Sequence, residues 1–169
     1  MTAGVTIEPL AADEFSIVAR WLSQPENHKW LSSEWRNPNI NPSVVAMGTR
    51  NKKNRFYLAR YEGQPCALVA LADLDLADRI AMVWYVLGTK QAAGRGITST
   101  AVRLLLDVAF DELQLESVHA WVMEDNIASR RVLEKAGFRL AGRLRGAGSH
   151  DGQQVDRIYF DKLRSERDE

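Results

Sequence analysis

One stretch constrains this chain more than any other: Trp84-Tyr85-Val86-Leu87-Gly88-Thr89-Lys90-Gln91-Ala92-Ala93-Gly94-Arg95-Gly96-Ile97. An apolar, strand-like run ends, a loop of small residues follows, and an amphipathic helix begins. The first backbone N–H groups of a helix have no partner inside it, and the helix dipole adds positive potential there, so such a junction favours an anion. Gly94 and Gly96 let a ligand approach the backbone, and Ala92 and Ala93 add little bulk. The physical reading is a phosphate or pyrophosphate cradle; the alternative is a turn whose small residues serve tight strand–helix packing. Two better-known cradles do not fit. Counting from Gly94 and Gly96, the third glycine of a dinucleotide fingerprint falls on Ser99, and from Gly88 a Walker A loop would need glycine at Ala93 with lysine after it.

Around this junction the hydrophobic periodicity orders the rest. Val5 to Leu10 alternates like a short strand, and Phe15, Val18, Ala19 and Leu22 recur at helical spacing. Ser23-Gln24-Pro25-Glu26 reads as a capping box opening a second helix that runs to about Leu31, and Asn41-Pro42 opens a third through Arg50. Arg55 to Glu62, Cys66 to Leu74 and Arg79 to Leu87 read as strands, the last nearly all apolar and therefore central. Gly94 to Leu113 is the longest helix, Ser117 to Met123 a strand, and Asn126 to Ala136 a helix closed by Gly137. Two strands, about Phe138 to Arg145 and Gln154 to Lys162, flank a turn at Asp151-Gly152. With no linker or repeat, residues 1–169 read as one mixed α/β domain.

Composition narrows the function. Lys+Arg and Asp+Glu both number 22, so nothing suggests a nucleic-acid binder, which carries a basic stripe. A lone Cys66 implies a reducing compartment, and no stretch is long and apolar enough to span a membrane, so the expectation is a cytoplasmic protein without a signal peptide. His28, His119 and His150 lack zinc spacing, and no metal is expected. Gly148-Ser149-His150-Asp151-Gly152 contains the types of a relay triad, but neighbours in a turn cannot form one.

Gln91-Ala92-Ala93-Gly94-Arg95-Gly96 resembles the Gln/Arg-x-x-Gly-x-Gly/Ala signature of the GNAT acetyltransferase superfamily at every fixed position. Asn126 to Phe138, reading Asn-Ile-Ala-Ser-Arg-Arg-Val-Leu-Glu-Lys-Ala-Gly-Phe, is similar to a segment of the branch that includes ribosomal-protein N-terminal acetyltransferases. The resemblance is strong from about Arg79 onward and weak before Arg55. It implies a mixed α/β (α+β) fold: a mostly antiparallel central sheet flanked by helices, with two central strands, ending near Leu87 and Met123, that splay apart. It implies acetyl-CoA as cosubstrate, direct acetyl transfer to a primary amine (a small molecule or a peptide N-terminus) and, by family habit, a homodimer. The alternative of another class is a CoA-binding GNAT-fold module without catalysis.

By the same match, the pyrophosphate should meet the backbone of Gln91, Ala92, Ala93, Gly94, Arg95 and Gly96, with Ile97 and Thr98 at the helix start. The pantetheine arm should run beside Trp84, Val86 and Leu87, with an N–H near Val86 or Leu87 facing the developing oxyanion. Asn126 should bond the pantetheine arm, unless it serves only as the cap of its own helix, and Ser129 should reach the nucleotide side. Many relatives carry Glu on the strand before the cradle and Tyr in the later helix; Arg79 to Leu87 holds no carboxylate and the second position is Leu133, so acid and base are unassigned. Glu34, Asp73 and Asp75 are candidate bases, and Tyr85 and Tyr159 candidate acids. For the acceptor, Glu34, Trp35 and Trp30, with Glu26 and His28 nearby, combine aromatic faces with carboxylates and suit a cationic amine; the alternative is that the tryptophans pack helices and the carboxylates are solvated. His150 reads as an exposed turn residue.

Overall fold

The structure is a computed structural model that describes residues 2–167; the single-domain span 1–169 extends to Met1, Asp168 and Glu169, outside the described residues. Strand β1 (Val5–Pro9) is followed by helices α1 (Phe15–Ser23), α2 (Pro25–His28) and α3 (Pro42–Arg50), then by β2 (Arg55–Tyr61), β3 (Gln64–Asp75) and β4 (Ile80–Leu87). Helix α4 (Ile97–Asp107), β5 (Ser117–Met123), α5 (Ile127–Lys135), β6 (Arg139–His150) and β7 (Gln153–Leu163) complete the chain. The seven strands form one sheet in the order β1-β2-β3-β4-β5-β7-β6, so the apolar β4 is central, as its composition requires.

All neighbours pair antiparallel except β4 and β5, which run parallel and share only three rungs: Ile80 with Ser117, Ala81 with Val118, Met82 with His119. Beyond Met82 the two strands separate, while β4 stays paired to β3 as far as Leu87 and β5 to β7 as far as Met123. The sheet is therefore open along one seam, and the backbone groups on both sides of that seam have no strand partner.

Each face carries its own core. Against α4 and α5 lie Leu71, Val83, Leu105, Phe110, Val118, Leu133 and Phe160; against α1 and α3 lie Val18, Leu22, Trp35, Val45, Phe56, Leu58 and Leu68. Burying each of the larger side chains contributes about 1.5–3 kcal/mol, which fixes both helix layers. Asn41 caps α3 by accepting from Ser43 N (2.9 Å) and Val44 N (3.3 Å), a cap of about 1 kcal/mol that its sequence position predicts.

Several boundaries differ from the sequence reading, and the second helix ends at His28 rather than near Leu31. Ser23 is not a cap: it ends α1, and its hydroxyl donates to Ala19 O at 2.8 Å, while Pro25 does occupy the first position of α2. The long helix begins at Ile97 rather than Gly94 and passes into a π-turn over Val108–Glu112. The last hairpin is longer than read: Gly148, Ser149 and His150 belong to β6.

Candidate functional site: a cleft through the open seam

A cleft of about 710 Å³ runs through the seam between β4 and β5. It begins at Ala92, Ala93, Gly94, Gly96, Ile97 and Thr98, passes Trp84, Val86, Leu87, Asn126 and Ser129, and ends among Trp30, Glu34 and Trp35. Of the residues expected in the cradle, Gln91 and Arg95 do not line it. Gln91 is exposed, and Arg95 turns away to stack 4.6 Å above the Tyr61 ring and donate to its hydroxyl at 2.9 Å.

At the first end the chain makes a short 3-10 turn over Lys90–Ala92, which uses the amides of Ala92 and Ala93 by donating to Thr89 O (3.1 Å) and Lys90 O (3.0 Å). The expected cradle of amides from Gln91 onward thus shifts toward the helix. Thr100 N is the first amide bonded back into the helix, to Gly96 O at 3.0 Å. Gly94 to Ser99 therefore offers the amides without a backbone partner among the described residues. Gly94 and Gly96 have φ of +74° and +73°, a conformation that costs an L-residue about 1–2 kcal/mol, so the glycines shape this loop. Two side chains absent from the sequence prediction also line this end, Arg131 and Lys135 of α5. Their four-residue spacing places them on one helix face, a signal that was available in the sequence.

Strand alternation decides which β4 groups face the seam. Gly88 N donates to Cys66 O of β3 at 2.7 Å, so the main chains of Val86 and Trp84 also turn toward β3, and those of Val83, Tyr85 and Leu87 turn toward the seam. Of the two N–H groups expected near the oxyanion, those of Val86 and Leu87, the one turned toward the seam is that of Leu87, while the Val86 side chain lines the cleft. The Leu87 carbonyl already accepts from Asn27 Nδ2 at 3.0 Å, which ties α2 to the end of β4.

Tyr85 is not a free acid. Its hydroxyl donates to Ser129 O (2.9 Å) and accepts from Ser129 Oγ (3.1 Å), and burial pushes its pKa well above that of an ordinary phenol, with the Ser129 bond opposing. It acts as a strut from β4 to the first turn of α5, and it occupies the Ser129 hydroxyl assigned in the sequence to a nucleotide. Asn126 Oδ1 accepts from Ser129 N at 3.2 Å, so Asn126 caps α5 and also lines the cleft.

The far end is built from side chains. Glu26 and Trp30 come from α2 and the turn after it, Glu34 and Trp35 from the following loop, and Asp73 from a bulge in β3 where its φ is +50°. Trp35 is 6% exposed and packs at 5.4 Å from Trp84 and 5.6 Å from Phe56, so it is a core wall with one edge on the cleft. Asp73 and Glu34 line the cleft; Asp75 does not, because its carboxylate accepts from Ala77 N and Asp78 N and is held below the usual range by those bonds. Tyr159 does not line it either.

His119 was set aside in the sequence with the other histidines, yet it stands at the last rung before the seam opens. Its Nδ1 is buried without a partner. Burial holds the imidazole below its ordinary pKa, against the opposing pull of Asp73 and Asp161. His150, read as exposed, has a side chain only 7% exposed and bonds Asp125. No group of three or more His, Cys, Asp or Glu able to hold a metal occurs among the described residues, and no helix there is long and apolar enough to cross a membrane.

Comparison with known proteins agrees with this fold. The family profile described as "Acetyltransferase (GNAT) domain" matches residues 5–139. A Bacillus subtilis (strain 168) protein named "Putative ribosomal N-acetyltransferase YdaF" is 34% identical over 106 residues, a stretch covering 63% of this chain and just over half, 57%, of that relative. A crystal structure titled "Probable acetyltransferase" superposes with a TM-score of 0.80 at 25% identity, over 98% of this chain and 96% of the other. The spermidine N-acetyltransferase of Vibrio cholerae, solved with CoA and spermine, shares the fold with a TM-score of 0.86 at 17% identity, over 98% and 99%. The chain belongs to the GNAT acetyltransferase family.

Proposed function

We propose that this protein transfers the acetyl group of acetyl-CoA directly to the primary amine of a small cationic acceptor. One observation carries the reading: a single cleft joins unpartnered helix-start amides to an acid-lined, aromatic chamber through an open seam in the sheet. The pyrophosphate rests on the amides of Gly94 to Ser99, with Arg131 and Lys135 supplying positive charge. The pantetheine arm follows β4 along the seam, beside Trp84, Val86 and Leu87, with Asn126 across from it. The span 1–169 acts as one unit, since the donor and acceptor ends share one sheet.

In this mechanism the protonated amine is drawn to Glu26, Glu34 and Asp73 and gives up a proton to Glu34 or Asp73 through water. The neutral nitrogen attacks the thioester carbonyl, and the Leu87 N–H faces the oxyanion. Collapse breaks the C–S bond, and the nitrogen's second proton passes through water to the departing CoA thiolate, which leaves as the thiol. The same carboxylates argue against the non-catalytic alternative: β4 lacks the family's carboxylate, but the cleft receives its own from α2, the following loop and β3.

The test is incubation with acetyl-CoA and a panel of spermidine, n-butylamine, an amino sugar and an alanine-initiated peptide, read by intact mass. Acetylation of a cationic small amine is the expected result. Donor binding with no acetylated product anywhere would instead favour a CoA-binding module.

A further inference from the structure

The loop after α2 carries the acceptor wall. It spans residues 29–41 without helix or strand, and such a segment is held in place only by its contacts. Leu31, Trp35 and Ile40 anchor it in the core, and its outer contacts converge on the tip of the β6–β7 hairpin. The His150 ring meets the Trp30 ring at 4.7 Å and 62°, edge to face. Lys29 Nζ lies 3.7 Å from Asp151 Oδ2, and Arg36 Nη1 donates to Ser149 O. His150 itself is fixed from two sides, by Asp125 Oδ2 at 2.6 Å from Nε2 and by Asp151 Oδ2 at 3.2 Å from Nδ1. Asp125 immediately precedes Asn126, the cap of α5. One imidazole therefore joins the hairpin tip, the acceptor loop and the β5–α5 connection.

We infer that His150 is a specificity-determining residue, locking the hairpin against Trp30 so that this side of the acceptor end is a fixed wall that favours compact amines over peptide N-termini. This rests on the acceptor-end reading above. A peptide must continue away from its amine, and Trp30, braced by His150, stands as a fixed wall on the hairpin side that a continuing chain would have to pass. A compact amine has no continuing chain. Carboxylates alone would not discriminate, because both acceptors present the same ammonium. The fixed wall supplies the difference.

The test compares kcat/KM for n-butylamine and for an alanine-initiated peptide in wild type, His150→Ala and His150→Gln. The wild type should prefer n-butylamine, and His150→Ala should shift the ratio toward the peptide by about tenfold, within the range one pocket wall commands, mainly through KM. His150→Gln keeps a donor for Asp125 and should restore most of the preference. A merely structural role would lower both activities together and leave the ratio unchanged, and that result overturns the inference. So does a wild type that prefers the peptide, an outcome that leaves acetyl transfer itself intact. Independently of any acceptor, amide hydrogen exchange over residues 28–36 should accelerate in His150→Ala while residues 94–99 stay as in wild type; unaltered exchange over 28–36 overturns it as well.

Discussion

The two ends of the cleft are built from different materials. The proposed donor end is built mainly of backbone: amides from Gly94 to Ser99, the seam-facing main chain of Val83, Tyr85 and Leu87, and the α5 cap Asn126, with the Arg131 and Lys135 side chains beside them. The acceptor end consists of side chains drawn from distant segments, with Arg36 and Ser149, 113 positions apart, in contact. A backbone site demands glycine and small residues at fixed spacing, and tolerates little else. A side-chain site demands only that some suitable residue reach the chamber. The first varies little in pattern; the second can be rebuilt for a new acceptor without disturbing the donor.

If the ends are separable, charge removal at one should leave the other untouched. Glu34→Gln combined with Asp73→Asn should raise the acceptor KM by about tenfold, since two exposed carboxylates facing one ammonium each contribute about 0.2–1 kcal/mol. Acetyl-CoA affinity, measured by calorimetry on the same variant, should stay within about twofold, because screened charges at that distance act weakly. A matching loss of donor affinity would break the comparison.

A smaller effect should come from the strut between β4 and α5. Tyr85→Phe removes the hydroxyl from its two bonds to Ser129 and leaves the part-buried Ser129 hydroxyl without its acceptor, a loss of about 1–3 kcal/mol of stability by chemical unfolding. Because Asn126 and Ser129 share that helix turn, donor affinity should weaken about threefold, the order of a 0.6 kcal/mol shift, with the acceptor KM unchanged. That outcome sharpens the boundary between the ends.

The smallest expected effect lies at the apex of the seam. The His119 imidazole is held below its ordinary value by burial first, so the unfolded chain binds this proton more readily than the folded one. Stability is therefore complete above about pH 6.5, the unfolded value, and falls as pH drops from there toward the folded value. Asp75 and Asp156, whose carboxylates are held below the usual range by backbone hydrogen bonds, stay charged throughout that window. The thermal midpoint of wild type should therefore fall more between pH 7.5 and pH 5.5 than that of His119→Gln. Equal slopes would show that the imidazole titrates as it does in water.

The same contrast explains what the sequence revealed. The element order, the central place of β4 and the N-caps Asn41 and Asn126 followed from local patterns, because apolar periodicity and capping act within a few residues. Gly94 and Gly96 stood out because a left-handed backbone needs them. What was missed depended on contacts that no local pattern encodes. The 3-10 turn uses the Ala92 and Ala93 amides, the strand register turns the Val86 main chain toward β3, and Tyr85 is committed to Ser129. His150, beside a turn, looked exposed, and only the return of the hairpin onto the acceptor loop buries it. Arg131 and Lys135 were legible on one face of α5 but acquire meaning only once that face borders the cradle.

Calorimetric titration of acetyl-CoA into wild type, Gly94→Ala and Gly94→Asp tests the proposal that the pyrophosphate rests on the amides of Gly94 to Ser99. A Cβ at Gly94 would meet nothing within 4 Å, so alanine adds only the left-handed strain of about 1 kcal/mol and should weaken binding about fivefold. Aspartate adds a negative charge beside the phosphates and should weaken it at least about thirtyfold, with the folded state intact by circular dichroism. Equal affinity for wild type and Gly94→Asp, or no binding to folded wild type, would contradict the account.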